Sequence, residues 1–463
     1  MTKEELRAAA GQLVNLHRRF APHFGRKEPQ EHSLEYLQGL LAGQGRKSVE
    51  PIALLFGKPS EEGISQKQVV ALQRFLTFSP WQATAVHKEL QAVFAEKLMP
   101  SVADWPLGVV GVLDESAMVK KGSKSAGVSR QYCGRLGKVE NCQVGVYLVG
   151  VTPAGTALLD QQLFLPKKWA GDKNRRQEAH VPKEIKFRTK PQIGVALLRR
   201  ILSNRLVTFD GITADDLYGR SGEFLDELEA LNMRYLVEVP CHTTVRIVGP
   251  NGKVRVDRSP AGRARWVKKV AARLPPEAWQ ALQLREGAQG PLVFEFARLR
   301  VETVRHRQRG PVRWLVIRRS LEAKPEIKYY LSNAAAEMPL NPMALVTGTR
   351  MRVEEFFEEG KSYLGMAQYE ARAWSSWHHH MSLVALAHLF VTLTRMTLRK
   401  NTSELTLDMA IRLLRASLPQ PKLSMEAAIA IVKYHITRNG TAKKSHRKIW
   451  EKNHKKIKYK VLL

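Results

Sequence analysis

The chain has 463 residues, with 74 Lys and Arg against 43 Asp and Glu, a formal charge of +31 and 44% apolar residues. Such a length points to about two to four domains, and the apolar share excludes general disorder. The charge calls for a polyanionic partner, nucleic acid before a membrane surface. No run of about 18 apolar residues predicts a transmembrane helix, and the first residues are too acidic and polar for a secretory signal. Cys133, Cys142 and Cys241 form no CxxC pair, which argues against zinc and disulfides and suits a reducing cytoplasm.

Through residue 103, apolar residues recur at helical spacing in EELRAAAGQLVNLHRRF and QVVALQRFLTFSPWQATAVHKELQAVF. The second stretch is split at Ser79-Pro80, where one helix stops and another starts. The loop GQGRKSVEP sets Arg46 and Lys47 beside a turn. Near residue 105 the texture changes. LGVVGVLD, CQVGVYLVGVT and GTALLDQQLFLP predict strands, and PQIGVALLRRILSN a helix. GITADD is a short strand ending in acids, GEFLDELEALN an amphipathic helix and MRYLVEVP a further strand, which together make a mixed α/β order. From Cys241 to Ala336 the chain is basic and β-rich. TTVRIVG, GKVRVD, LVFEFARLRVETVRHR, VRWLVIRRS and IKYYLSNA predict strands, with LPPEAWQALQL a short helix among them. Helix returns in RMRVEEFFEEGKSYLG and again from Trp374 to Arg395, where MSLVALAHLFVTLTRM reads as a buried core helix. Lys433 to Leu463 holds eleven Lys and Arg and one Glu, the composition of a flexible nucleic-acid-contacting tail.

Three acids stand out by position. Asp114 ends the strand GVVGVLD, Asp215 ends the strand of GITADD, and Glu354 lies on the helix after the β-rich block. An acid at a strand end faces the crevice at a sheet edge, where a ligand can reach it. Carboxylates suit hard divalent cations, and phosphoryl transfer often uses two of them. Asp114 and Asp215 singly also read as turn or helix caps. On the helix RMRVEEFFEEGK, Val353, Phe356, Phe357 and Gly360 form the apolar stripe, and Glu355 and Glu359 point away from it into solvent. Arg350, Glu354 and Lys361 line one edge of the stripe, with Glu358 slightly further round. A metal-binding glutamate beside phosphate-binding cations has this pattern, and so does a structural ion-pair ladder.

The segment TGTRMRVEEFFEEGK resembles the Tyr-(2)-Arg-(3)-Glu-(6)-Lys signature of bacterial insertion-sequence transposases. Arg350, Glu354 and Lys361 match its spacing, and Thr347 stands where the signature has Tyr. LDESAMVKKG, GVSRQYCGRLGKVENCQVGVYL, TADDLYG, YYLSNA and YEARAWSSWHHHMSL resemble the branch called insertion-sequence family 701, as do GRKSVEPIA and LQRFLTFSPW upstream. The resemblance implies an α/β fold: an RNase H-like catalytic core with an inserted β-rich subdomain, preceded by a helical N-terminal domain. The corresponding divisions are a helical DNA-binding domain at 1–103, the core at 104–240 and 337–400, the insertion at 241–336, and a C-terminal helical region and basic tail at 401–463. It implies a DDE triad of Asp114, Asp215 and Glu354 holding Mg²⁺, with Mn²⁺ able to substitute. Glu115 and Asp216 are the neighbouring acids open to confusion with it, and on extended backbone their side chains face away from the triad's. Arg350 and Lys361 inherit contacts to DNA phosphates. Lys120, Lys121 and Arg130, after the first acid, are further candidates to hold DNA, or else a solvated basic loop.

The activity so implied is cut-and-paste transposition. Water attacks the phosphodiester at the transposon end, and the freed 3′-hydroxyl attacks target DNA, with no covalent protein–DNA link. The partners are double-stranded DNA, as terminal inverted repeats and target, and a second copy in a homodimer on DNA; no membrane is involved. The location is the bacterial cytoplasm, on the nucleoid when DNA-bound. A DNA-binding regulator that has lost catalysis, and a nuclease of the same fold that cuts without joining, are the alternatives. His378, His379 and His380 point about 100° apart on a helix and so satisfy buried hydrogen bonds more readily than they share a metal. Trp374 and Trp377 read as core, while Trp266 and Trp314 either pack or stack on an unpaired base.

Overall fold

A computed structural model describes residues 2–43, 45–61, 63–249, 254, 263–287, 290–305, 308–399, 405–418 and 424–454. Helices α1 (Lys3–Phe20), α2 (Lys27–Leu41), α3 (Val49–Leu55), α4 (Gln66–Thr77) and α5 (Ala83–Lys97) build the N-terminal part. Thr2 and Glu5 start α1 with a reciprocal capping box, which satisfies two of the amide donors a helix start leaves open. Ser79-Pro80 falls between α4 and α5, as the sequence predicts.

The first sheet follows, with strands β1 (Val110–Val119), β2 (Ser129–Cys133), β3 (Lys138–Thr152) and β4 (Gly155–Leu163). Two short helices, α6 (Lys167–Ala170) and α7 (Lys173–Glu178), lead to α8 (Lys190–Asn204) and then β5 (Gly211–Ala214). One edge of β3 pairs with β1 and the other with β2 and β4, all antiparallel, while β5 runs parallel to β1. Beyond β5 come α9 (Asp216–Gly219), α10 (Gly222–Ala230) and β6 (Leu236–Val239). A parallel bridge from Ile212 to Tyr235 sets the start of β6 beside β5.

The basic block is built from β7 (Thr244–Ile247), β8 (Arg265–Trp266), a short helix α11 (Val267–Ala271), β9 (Gln280–Gly287), β10 (Gly290–Arg305), β11 (Gln308–Arg319) and β12 (Ile327–Ser332). These strands are ordered β6-β12-β11-β10-β7-β8, with β9 also on β10. The block therefore grows from β6, pairing with the first sheet's neighbour through β12. In LPPEAWQALQL only Pro276–Ala278 is helical, as a 3-10 turn, and the rest enters β9. Cross-strand pairing with β10 overrides helix propensity there. Of the predicted strand GKVRVD only Val254 lies within the described residues, bridged to Val248.

Four helices finish the chain: α12 (Leu340–Tyr363), α13 (Trp374–Arg399), α14 (Leu407–Ser417) and α15 (Met425–Asn453). α13 is apolar and long enough to cross a membrane by length and composition. It is instead the central core helix, packed against α2, α4, α5, α14 and β4. The basic stretch from Lys433 continues α15 as helix through Asn453, where a flexible tail is expected; residues 455–463 lie outside the described residues. Tyr434 and Ala430 anchor one face of that helix in the core. Leu113 packs beside Gly194 of α8, while Tyr147, the cross-strand partner of Asp114, stacks edge-on against Phe357 of α12. The helices α8 and α12 thus cover opposite faces of β1, and Asp114, expected to end its strand, instead lies midway along it: β1 runs on to Val119 because β3 keeps pairing with it, and only its neighbour β5 stops there.

Gly219 lets α9 press against β6: a Cβ there would lie 1.9 Å from the Glu238 carbonyl oxygen. Gly219→Ala is expected to cost about 1–3 kcal/mol of stability, the usual range for overpacking. A lower denaturation midpoint would register it, and an unchanged midpoint would mean that α9 can withdraw freely.

Candidate active site

Parallel pairing of Leu113 with Ala214 ends β5 one residue early, so Asp114 and Asp215 come next to each other past the last rung. Asp215 has left the strand and caps α9, accepting the Leu217 amide at 3.0 Å. Asp114 is 8% exposed, and one of its oxygens accepts the Glu115 amide at 2.7 Å. Both acids line an open cleft of about 860 Å³ together with Tyr132, Arg135, Lys190 and, from α12, Glu354, Glu358 and Lys361.

Arg350 sits within this group. Its guanidinium bonds Glu238 of β6 at 2.6 Å and lies 3.8 Å from Asp114 and 3.7 Å from Glu354. Burial opposes its charge, but Asp114, Glu238 and Asp215 outweigh that and hold its pKa above the usual value. Burial likewise pushes Asp114 up to about 7; Arg350 works against the shift, and Asp215 and Glu115 add to it. The Asp215 carboxyl is also raised, by burial first, against the pull of Arg350.

Glu115 is not turned out of the site. One oxygen each of Asp114, Glu115 and Asp215 lies within 4.8 Å of the others. The strand does alternate faces, but β5 has ended, and the Asp114 carboxyl folds back toward the Glu115 amide. Lys190, on the first turn of α8, holds Glu115 at 2.7 Å. Lys190 and Glu238 are the members that sequence reasoning missed; neither carries a local motif, and only the fold brings them near Asp114. Asp216 turns to Arg220 at 2.6 Å. Glu354 lines the same cleft but is separated from Asp114 by Arg350, with its side chain 65% exposed.

Other expectations change on α12. Glu359 is not solvated: it pairs at 3.0 Å with the buried His388, because α13 packs against that side. Glu355 bonds Arg285 of β9 at 2.7 Å. Thr347 is buried and donates to the Ala344 carbonyl at 2.7 Å, so it offers nothing to the cleft. Lys361 lines the cleft, and burial first, then Arg135, lowers its pKa. Lys120 turns inward, donating to the Tyr369 carbonyl at 2.7 Å above that residue's ring, whereas Lys121 and Arg130 are exposed. Lys47 is also buried, its ammonium on the carbonyls that end α2. His378, His379 and His380 bond Trp374, Leu76 with Trp81, and Tyr36 respectively. Trp374, Trp377 and Trp314 are buried, and Trp266 is 44% exposed.

A mixed α/β chain with carboxylates gathered at the open end of a sheet has the form of a metal-dependent nuclease site. Residues 19–311 match the family model described as DDE superfamily endonuclease, and the chain belongs to that family. The matched stretch includes Asp114 and Asp215 and ends before Glu354. The chain is also 31% identical, over 220 residues, to the probable transposase for insertion sequence element IS701 of Microchaete diplosiphon. That match covers 47% of this chain and 50% of the relative, so the chain spans about half the relative's length. The NurA nuclease from Sulfolobus solfataricus aligns at 11% identity and a TM-score of 0.23, covering 59% of this chain and 78% of that one.

Members of such a family use divalent metals, and the donor set fits one. Asp114, Glu115 and Asp215 offer only carboxylate oxygens, close enough to share an ion, in a setting where their own charges are disfavoured. A pH dependence follows. Unfolded, Asp114 loses its proton near 3.8, and folded near 7. Between these values the folded state holds a proton that the unfolded state has lost, so stability falls as pH rises from 4 through 7. Asp114→Asn is expected to match the parent at pH 4 and exceed it at pH 8 in chelator by about 3–4 kcal/mol at most. Thermal denaturation across pH measures this; a mutant–parent difference that does not vary with pH would refute it. Adding Mg²⁺ at pH 8 should raise the parent's midpoint and leave the mutant's nearly unmoved.

Proposed function

We propose that this chain is the DNA transposase of an insertion sequence, binding terminal inverted repeats, cutting there and joining the freed 3′ end to target DNA. The observation that carries the reading is the meeting of Asp114 and Asp215 in the cleft that α12 lines with Glu354 and Lys361. The core is assigned as RNase H-like; the order β4-β3-β1-β5-β6, with β5 parallel to β1, supports that assignment. The site is assigned as the triad Asp114, Asp215 and Glu354. Mg²⁺, or Mn²⁺ in its place, would be held there and supply Lewis-acid activation of an oxygen and neutralisation of phosphate charge.

The chain's own side chains do the rest. Asp114 and Asp215 present oxygens from rigid backbone, one on β1 and one on a helix cap. Glu354 presents its carboxylate to the same cleft from α12, beside Lys361. Arg350, held by Glu238, acts as a positioning residue that keeps Asp114 and Glu354 facing each other, and meets phosphate only through its second nitrogen. Lys121 and Arg130 remain exposed for DNA, and Lys120 serves the fold. The exposed basic face of α15 and the helical N-terminal part add contacts to the repeats. A second copy of the chain joins on paired ends. Attack by water, then by the 3′-hydroxyl, needs no Ser or Tyr nucleophile.

Asp114→Asn, Asp215→Asn and Glu354→Gln are each expected to reduce end cleavage by about 10³-fold or more, the scale of losing an electrostatic catalytic group. End binding should stay within about three-fold, since phosphate contacts carry most of the affinity. Cleavage and gel-shift assays on duplexes bearing the flanking repeats, with Mg²⁺, separate the outcomes. Parental cleavage by one mutant removes that residue from the triad. Binding without nicking by the parent points to a regulator, and nicking without strand transfer to a simple nuclease.

A further inference from the structure

The hairpin of β2 and β3 lines the catalytic cleft through Tyr132 and Arg135, and α12 lines it through Glu354 and Lys361. Its turn, Gly134–Gly137, closes with Gly137 in the left-handed region at φ +62°, so the two strands return tightly on each other. Register pairs Tyr132 with Val139, and period-2 alternation puts both on one face, with Arg130 two residues along. That face is bare: Tyr132 is 63% exposed and Val139 52%. Leu136, at the tip, is 45% exposed.

Phe78, Phe187, Trp266 and Trp450 are the other strongly exposed large aromatics among the described residues, and Tyr132 alone of the five lines the cleft that holds Asp114. Tyr147, Tyr218 and Tyr369, by contrast, are fully buried. The polar requirement of the same cleft is equally specific. Arg135 and Lys361 line the same cleft, where the guanidinium works against the lysine's charge and Asp114 favours it. Two cations in one cleft are relieved by an anion between them. An aromatic face beside a cation pair is the composition that holds a nucleotide, base on ring and phosphate on charge.

We propose that the β2–β3 hairpin grips the DNA strand at the cut, with Tyr132 packed on the base next to the scissile phosphate and Arg135, which lines the cleft with Lys361, on a neighbouring phosphate. The inference rests on the transposase reading and adds to it the partner of the hairpin's side of the cleft. A base held on Tyr132 is drawn out of its stack, which widens access of the scissile phosphate to Asp114 and Asp215. Val139 and Leu136 shield the opened step from water on the hairpin side.

The experiment uses the full chain carrying Asp215→Asn, so that bound DNA stays intact. Duplexes bearing the flanking inverted repeat carry 5-iodo-2′-deoxyuridine at single positions around the cut and are irradiated with long-wavelength ultraviolet. A cross-link from one position beside the cut to Tyr132, mapped by mass spectrometry, is the expected result. In otherwise parental protein, Tyr132→Ala should weaken end binding by roughly 5- to 100-fold, the worth of one base–aromatic stack, and Tyr132→Phe should restore it. Arg135→Ala should lower the salt dependence of binding by about one phosphate contact. Cross-links that avoid residues 129–139, with Tyr132→Ala cleaving like the parent, would overturn the hairpin's role and leave the transposase reading standing. Failure of the parent to cut any such duplex would count against that reading and remove the hairpin's role with it.

Discussion

The buried guanidinium of Arg350 is the contact on which the site depends. Gathering Asp114, Asp215, Glu115 and Glu238 at the end of one sheet concentrates like charges in a place that water reaches poorly, and burial already raises the first three. An internal cation makes the cluster tolerable before any metal arrives. Arg is suited to this, since its planar fork stays charged and touches several carboxylates at once. It bonds Glu238 on β6 and approaches Asp114 on β1 and Glu354 on its own helix, so it also ties α12 to both halves of the β structure.

Glu238 gives the basic block a mechanical link to the site. The block grows from β6 through β12 and so shares a strand with the neighbour of β5. Many of its cations serve inside it. Arg246 and Arg309 flank the buried Glu302 and Arg319 meets Glu295, while Arg313 reaches out of the block to Glu229 of α10. The high charge of the chain is thus divided between internal pairing and surfaces open to DNA. The outer turns of α15 belong to the second group, where Lys443, Lys444, Lys448 and Lys452 are all exposed.

Much of the fold is legible in local pattern. The strands around Asp114 and Tyr147, the helices at 190–204 and 222–230 and the break at Ser79-Pro80 follow from periodicity and proline chemistry, because their burial is decided by near neighbours. QALQL reads as helix and is strand, since its ladder partner lies in β10. The solvated reading of Glu359 fails for the same kind of reason. A helical wheel fixes angles about the axis but not which side a second helix covers, and α13 supplies His388 on the side that looked free. Lys120 shows the converse: a lysine in a polar loop is aimed inward by Tyr369, 249 residues away.

The sequence by itself determined the class of chain: an α/β protein with excess positive charge, an acid, Asp215, closing a short strand, and an Arg-Glu-Lys helix in the spacing of insertion-sequence transposases; Asp114, expected at a strand end, lies midway along β1. Those features are local or compositional, and they survive without knowing what lies nearby. Only the tertiary structure decided which carboxylates share a space. Asp114, Glu115 and Asp215 meet because β5 stops one residue before Asp114 would pair, while Glu354 stands across Arg350 from them. Charge interactions act through a few ångströms of space, and chain separation says nothing about that distance until the strands are in register.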